Sequence, residues 1–441
     1  MASTAILDLV GGFTPEVFKR HLESLAKGPG WWLDRKRSAY ARFEGLPMPT
    51  RRDEAWRFST LSGITLSGFQ PAPAEASPTP SRVEVLAVAS AGTLTFINGR
   101  LSGVPRLDPE LAAKGVVATT LSDAVIQHAD LLKEHFMAQP QRLGSEKFAA
   151  LHEAFVDDGA FIYVPKGVEL GRPIIVIHAV TGAGHAVFPH TLVIAEDNAR
   201  TSVIDRFVTL DGSRQFACGA NDLYAGHGAN IAYAAAQVWS PESLSLQFNS
   251  TVVRRNARVQ SLNVHLGGRQ ARHESLSQLQ APGGFSEMLS VTVATGSREY
   301  DQRTLQIHQA PNTKSDLLYK NALLDQARTI FSGLIVVDPD AQKTDAYQSN
   351  RNLMLSDDAE SNSLPGLEIQ ANDVRCTHGA TSSRIDPEQE FYLRSRGIPP
   401  KLANELLIFG FFEEVLNRLE SEEIHSALRD LIRKQLDRRL S

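Results

Sequence analysis

From about Phe161 onward this 441-residue chain loses its helix signals, and short β-branched runs alternate with turns as far as about residue 385. The runs 161–164, 174–177, 191–195 and 201–204 open the series. The turns share a small pattern, a turn-forming residue followed by Ala and then an alternating strand. It occurs as Asn198-Ala199, Gly228-Ala229 and Asn256-Ala257, 30 and then 28 residues apart. It returns more loosely at Gln326-Ala327, Asp340-Ala341 and Asp358-Ala359. A period of that size predicts a solenoid, because one rung buries too little apolar surface alone and stacked rungs make a continuous core. Periodicity alone leaves a β-sandwich open.

The flanks read differently. Thr14-Pro15-Glu16 is an N-cap followed by Pro at the first helical position, with Val17, Leu22 and Leu25 at helical spacing. Gly28-Pro29-Gly30 ends that helix, and a second covers about 31–43. Residues 70–81, rich in Pro, Ala and Ser, read as a linker. A short β-like stretch at 82–101 precedes helical periodicity from 121 to 156. Helices return after 385, capped by Asp386-Pro387-Glu388 and by Ser421-Glu422-Glu423. Leu406 to Phe412 is apolar on every side of a helix, more than one packing face needs.

Composition narrows the function. The 45 Lys and Arg against 50 Asp and Glu give a net charge of -5, without the basic surplus that phosphate-backbone binding needs. No apolar run is long enough to span a membrane, and the first residues lack the basic start of a secretory signal. Two cysteines, Cys218 and Cys376, exclude a disulfide framework and fit a reducing cytoplasm. They are also too few for an iron–sulfur cluster, which takes about four thiolates. There is no P-loop, no zinc-protease HExxH, no G-x-S-x-G elbow and no C-x-x-C. Cys218 reads as a small buried hydrophobe, and Asn263, His265, Gln306 and His308 as ladders that satisfy polar groups between rungs.

One constellation stands out, Cys376-Thr377-His378-Gly379-Ala380. On a strand, Cys376 and His378 share a face about 6.6 Å apart. Chelating one metal would need a bend, for which Gly379 is placed. Thiolate and imidazole suit iron or zinc. Taken alone, a Cys-x-His pair is more simply a packed cysteine beside a hydrogen-bonded histidine.

The surrounding residues, 338–397, resemble the C-terminal signature of the SufB/SufD family. Ala341-Gln342-Lys343-Thr344-Asp345, Asn352-Leu353, Leu355-Ser356, Cys376-x-His378-Gly379-Ala380-Thr381 and Tyr392-Leu393-x-Ser395-Arg396-Gly397-Ile398 carry the resemblance. Lys314-Ser315-x-x-x-Tyr319-Lys320 and the stretch at 190–193 extend it. Arg51-Arg52-Asp53-Glu54-Ala55-Trp56-Arg57-Phe58 resembles the E-x-W-[RK]-[YF] segment of the SufD branch, and SufB chains carry more cysteines.

The resemblance implies a right-handed parallel β-helix at 156–385 between a mainly helical region, 1–155, and C-terminal helices, 386–441. It implies a non-catalytic cytoplasmic subunit that pairs with SufB and docks the ATPase SufC. A transient Fe–S cluster or iron would lie at the SufB interface with SufB donating thiolate, and reduced flavin would associate with the whole complex. His378 and Cys376 become the metal-site residues; Leu406, Phe409 and Phe412 become the SufC contacts. Homodimerisation of the isolated chain stays open. The alternatives are a polysaccharide lyase or hydrolase, since parallel β-helices also host those, and a SufB-type scaffold.

Overall fold

The computed structural model of the chain describes residues 10–73 and 88–440. Residues 74–87, most of the expected linker and the start of the expected β-like stretch, lie outside the described residues.

Strands from Ala160–Val164 to Arg375–Arg384 alternate between two eleven-stranded sheets, most of them pairing in parallel with the strand two places on. Arg200, Asn230, Arg258, Phe285, Lys314, Asp345 and Arg375 stand in register up one sheet. Two strands per turn, stacked in parallel, make a solenoid and exclude the antiparallel sandwich.

The sequence pattern at the turns has a steric cause. Asn198, Gly228 and Asn256 have φ of 57°, 67° and 54°. Gly takes that left-handed region freely and Asn tolerates it. Their amides pass to the next rung, Asn198 N–H donating to His227 at 2.7 Å and Gly228 N–H to Arg255 at 2.8 Å. The alanines that follow, Ala199, Ala229 and Ala257, are buried where coils meet.

Between the sheets the core is polar as well as apolar. Gln247 donates to Asn221 at 3.0 Å, Asn221 to Asn249 at 3.0 Å, and Asn249 to Ser275 at 3.1 Å. Further along, Gln306 donates to Ser315 at 2.8 Å, and the His308 ring lies between Thr313 and Ser315. A buried polar group demands a partner; the next rung supplies it for Asn221 and Asn249, and the turn and facing strand of the same coil supply it for Gln306 and His308. Near the other end, Tyr233 donates to Asp205 at 2.8 Å, and His178 lies 3.4 Å from the same carboxyl. Burial pushes Asp205 up to about 7, against the bonds from Thr191 and Tyr233, and draws His178 down to about 3.

The sheets do not stop where the sequence changes character. Gly92–Ile97 pairs in parallel with Ile174–Val180, and Val117–Thr120 pairs antiparallel with Ala160–Val164. Gln70–Pro71, expected as linker, pairs with His185–Val187. Helix Pro15–Ser24 starts at Thr14, whose side chain accepts from Val17 N–H, and Gly30–Gly45 follows. The 121–156 stretch forms three helices, Leu121–Gln127, Ala129–His135 and Glu146–Phe155.

Arg272 ties this region to the solenoid. Fully buried, it bonds Glu274 at 2.7 Å and Asp301 at 2.5 Å, and donates to the carbonyls of Ala55 and Leu143. The Trp56 ring covers its guanidinium at 3.8 Å. Arg272→Met leaves Glu274 buried without its cation and takes one of two arginines from Asp301, and is expected to cost ~3–5 kcal/mol in urea unfolding.

Asp205 holds its proton more tightly folded than unfolded, so the folded chain binds more protons between pH ~4 and 7. The stability this group contributes is therefore lost as pH rises through that window. Asp205→Asn lacks the slope and should gain ~3 kcal/mol on the parent between pH 5 and pH 8, at ~1.4 kcal/mol per unit. Urea titrations at the two pH values measure it.

Candidate functional site at the open end of the solenoid

The two sheets end on Glu360–Ile369 and Arg375–Arg384, each with one neighbour among the described residues. Strands in the middle of the stack, such as Gln270–Leu279 and Glu299–His308, are buried throughout, whereas these two are half-buried or exposed along their length. Arg375 N–H donates inward to Thr344 at 2.8 Å. Amides alternate sides along a parallel strand, so those of Cys376 and His378 face the unpaired edge.

Cys376 stands over Ala346 and His378 over Gln348. Both underlying residues are buried and face between the sheets, so Cys376 and His378 face the mouth of the interior. Cys376 packs half-buried against the cluster of Ile335, Val337 and Ala346, and burial pushes its thiol up. His378 is exposed. Serines and amides complete the mouth: Ser361 and Ser382 meet at 2.8 Å, and Ser363 donates to Asn350 at 2.7 Å.

The bend expected at Gly379 is absent. Arg375–Arg384 runs through it as one strand with Gly379 paired to Ser349, because ladder pairing to the preceding strand holds the backbone extended. Among the described residues no three of His, Cys, Asp and Glu come together as a metal cage. Cys376 and His378 thus supply two donors side by side, and a cluster taking about four would draw the others from outside the chain.

The C-terminal helices are Pro387–Ser395, Pro400–Leu416 and Glu422–Leu440. Phe409 and Phe412, expected as partner contacts, are instead buried on the solenoid among Leu262, Val264, Leu289, Val291 and Leu318. The apolar run has a face for the solenoid and a face for the outside, and these two phenylalanines belong to the first. Leu406 belongs to the second, 44 % exposed. Lys320 donates to the Phe411 carbonyl at 2.8 Å and pairs with Glu414 at 2.5 Å, and Arg418 pairs with Glu287 and Asp316, fixing the helices in place.

Sequence reasoning passed over Phe391 and used Tyr392 only for the family resemblance; they are 74 % and 57 % exposed on a helix with no buried residue. Two adjacent aromatics on a short polar helix were the available signal. The other singled-out residues are interior. Cys218 donates to the Phe148 carbonyl, and the His265 ring lies 3.9 Å from that of His273.

Fold and end together define a parallel β-solenoid protein whose last two strands are half-buried or exposed along their length. Residues 178–411 match the SUF system FeS cluster assembly, SufBD core domain, and residues 15–176 the SufBD protein N-terminal region. The chain belongs to the SufBD family. It is 31 % identical to the iron-sulfur cluster assembly protein SufD of Escherichia coli, over 85 % of this chain and 86 % of that one. To SufD of Bacillus subtilis it is 28 % identical, over 92 % and 94 %. A SufBD family protein of Synechocystis is 28 % identical over 91 % and 90 %. Within the family it is most like SufD, which displaces the carbohydrate-active solenoid and the SufB-type scaffold as readings.

The burial pattern separates two kinds of substitution. Phe412→Asp places a charge in the joint between helix and solenoid and should lose at least ~3–5 kcal/mol. His378→Ala and Leu406→Asp touch exposed side chains and should stay within ~0.5 kcal/mol. Thermal unfolding of the three variants distinguishes them.

Proposed function

We propose that this chain is the SufD-like subunit of a cytoplasmic SufBCD iron–sulfur assembly complex, without a catalytic site of its own. Its open end pairs with SufB, and iron or a nascent cluster is cargo at that junction. The observation that carries this reading is the terminal rung itself. Two unpaired strand edges invite a partner's strands, and Cys376 and His378 lie at the mouth that such a partner covers. Pairing on this end would bring the partner's thiolates to the two donors this chain offers. The same edges would let the isolated chain pair with a second copy.

SufC docks on the outer face of the C-terminal helices, where Leu406, Phe391, Tyr392 and Leu402 are exposed. Phe409 and Phe412 act one step behind, holding those helices to the solenoid.

Co-expression with SufB and SufC tests each part. His378→Ala should leave the three-protein complex intact and reduce the visible absorption of the reconstituted cluster severalfold. Leu406→Asp combined with Tyr392→Asp should release SufC and retain SufB. A His378→Ala complex that assembles clusters at the parent rate would return that histidine to a structural role.

A further inference from the structure

The segment 57–60 carries an arrangement that the fold alone does not require. Phe58 has φ of 69°, a left-handed conformation that is a steric outlier for a bulky residue, and its side chain is 40 % exposed. The neighbours hold it there. Arg303 donates to the Arg57 carbonyl at 2.9 Å, and Arg328 to the Phe58 carbonyl at 3.4 Å. Ser59 donates to Asp301 at 2.5 Å. Thr60 bonds Glu299 through both its amide and its hydroxyl, at 2.9 and 2.5 Å. Four consecutive residues are strapped to strands Glu299–His308 and Arg328–Val337, and one of them, Phe58, is strained with its ring part-exposed beside the Arg57 guanidinium, 5.1 Å away.

Strain that the surroundings enforce points to a use. A glycine would fit this backbone freely, yet the position carries an aromatic ring that its own chain leaves 40 % exposed. The location indicates the use. Arg328, which holds the Phe58 carbonyl, also pairs with Glu360 at 3.0 Å, and Glu360 opens the terminal strand Glu360–Ile369. Phe58 is therefore held by the same arginine that pairs with the first residue of the terminal strand, which puts it on the side of the stack near the open end.

We propose that Phe58 is an anchor for the SufB-type solenoid that continues this stack, its ring entering an apolar recess at the partner's rim. This rests on the pairing reading above and adds to it a contact outside the strand edges. The N-terminal region, clamped through Trp56 and Arg272, thereby becomes part of the pairing surface. An aromatic side chain preset by its own backbone loses little freedom on docking, the property of residues that dominate interfaces.

The test is sedimentation of the co-expressed pair with SufB, alongside thermal unfolding of the isolated chain. Phe58→Gly removes the ring and the strain together. It should raise the unfolding midpoint of the isolated chain while weakening the pair at least ~10-fold. Phe58→Ala keeps the backbone strained and should weaken the pair similarly without the gain in stability. A Phe58→Gly chain that pairs as tightly as the parent, or that melts earlier alone, overturns the anchor and leaves the pairing reading standing. A parent chain that does not pair with SufB overturns both.

Discussion

Every strand in a parallel stack has two edges of backbone donors and acceptors, and each must be satisfied by a neighbour or by water. In this chain neighbouring strands meet that rule rung by rung until the last turn, whose outer edges are left to water. At the lower end, Gly92–Ile97 and Val117–Thr120 close the two sheets with help from antiparallel pieces. At the upper end no described strand pairs with the outer edges of Glu360–Ile369 and Arg375–Arg384. The C-terminal helices leave from there but pack along the side of the solenoid, against Leu262, Leu289 and Leu318, and do not cover its mouth. The site follows from this asymmetry, since a buried Cys376 and His378 could offer a partner nothing.

The interior shows how such a stack tolerates polar residues. Asn221, Asn249 and Ser275 each find their partner one rung away, so the ladder that pairs backbones also aligns side chains. Where titratable groups enter, burial favours their neutral forms, as with Asp205 and His178. These histidines and carboxyls resemble catalytic sets in composition, yet they are sealed from solvent and belong to the fold.

The N-terminal region adds a second kind of joint. Besides an apolar core in which Phe13 and Phe69 meet Phe216, it holds the solenoid through a buried charged cluster, with Arg272 between Glu274 and Asp301 and Trp56 laid over the cation. Such a cluster adds little net stability over an apolar joint, but it admits few alternative geometries. That specificity makes the precise placing of Phe58 intelligible.

Much of this was legible in the residues. Thr14 and Asp386 cap helices as their types and positions require, because capping is a local exchange between a side chain and the next two or three amides. The turns Asn198-Ala199, Gly228-Ala229 and Asn256-Ala257 reported the solenoid because each sets a left-handed residue before a small one where coils meet, whereas Gln326, Asp340 and Asp358 in the looser copies are not left-handed. Cys376 and His378 shared a face because strands alternate. What the sequence alone could not decide depended on which neighbour stood opposite. Phe409 and Phe412 look like Leu406 along the chain, and only the solenoid wall beneath the helix separates inner from outer. Gly379 permitted a bend that ladder pairing suppressed. Local chemistry determined the elements and their period; long-range packing decided which edge, and which side chains, were left uncovered.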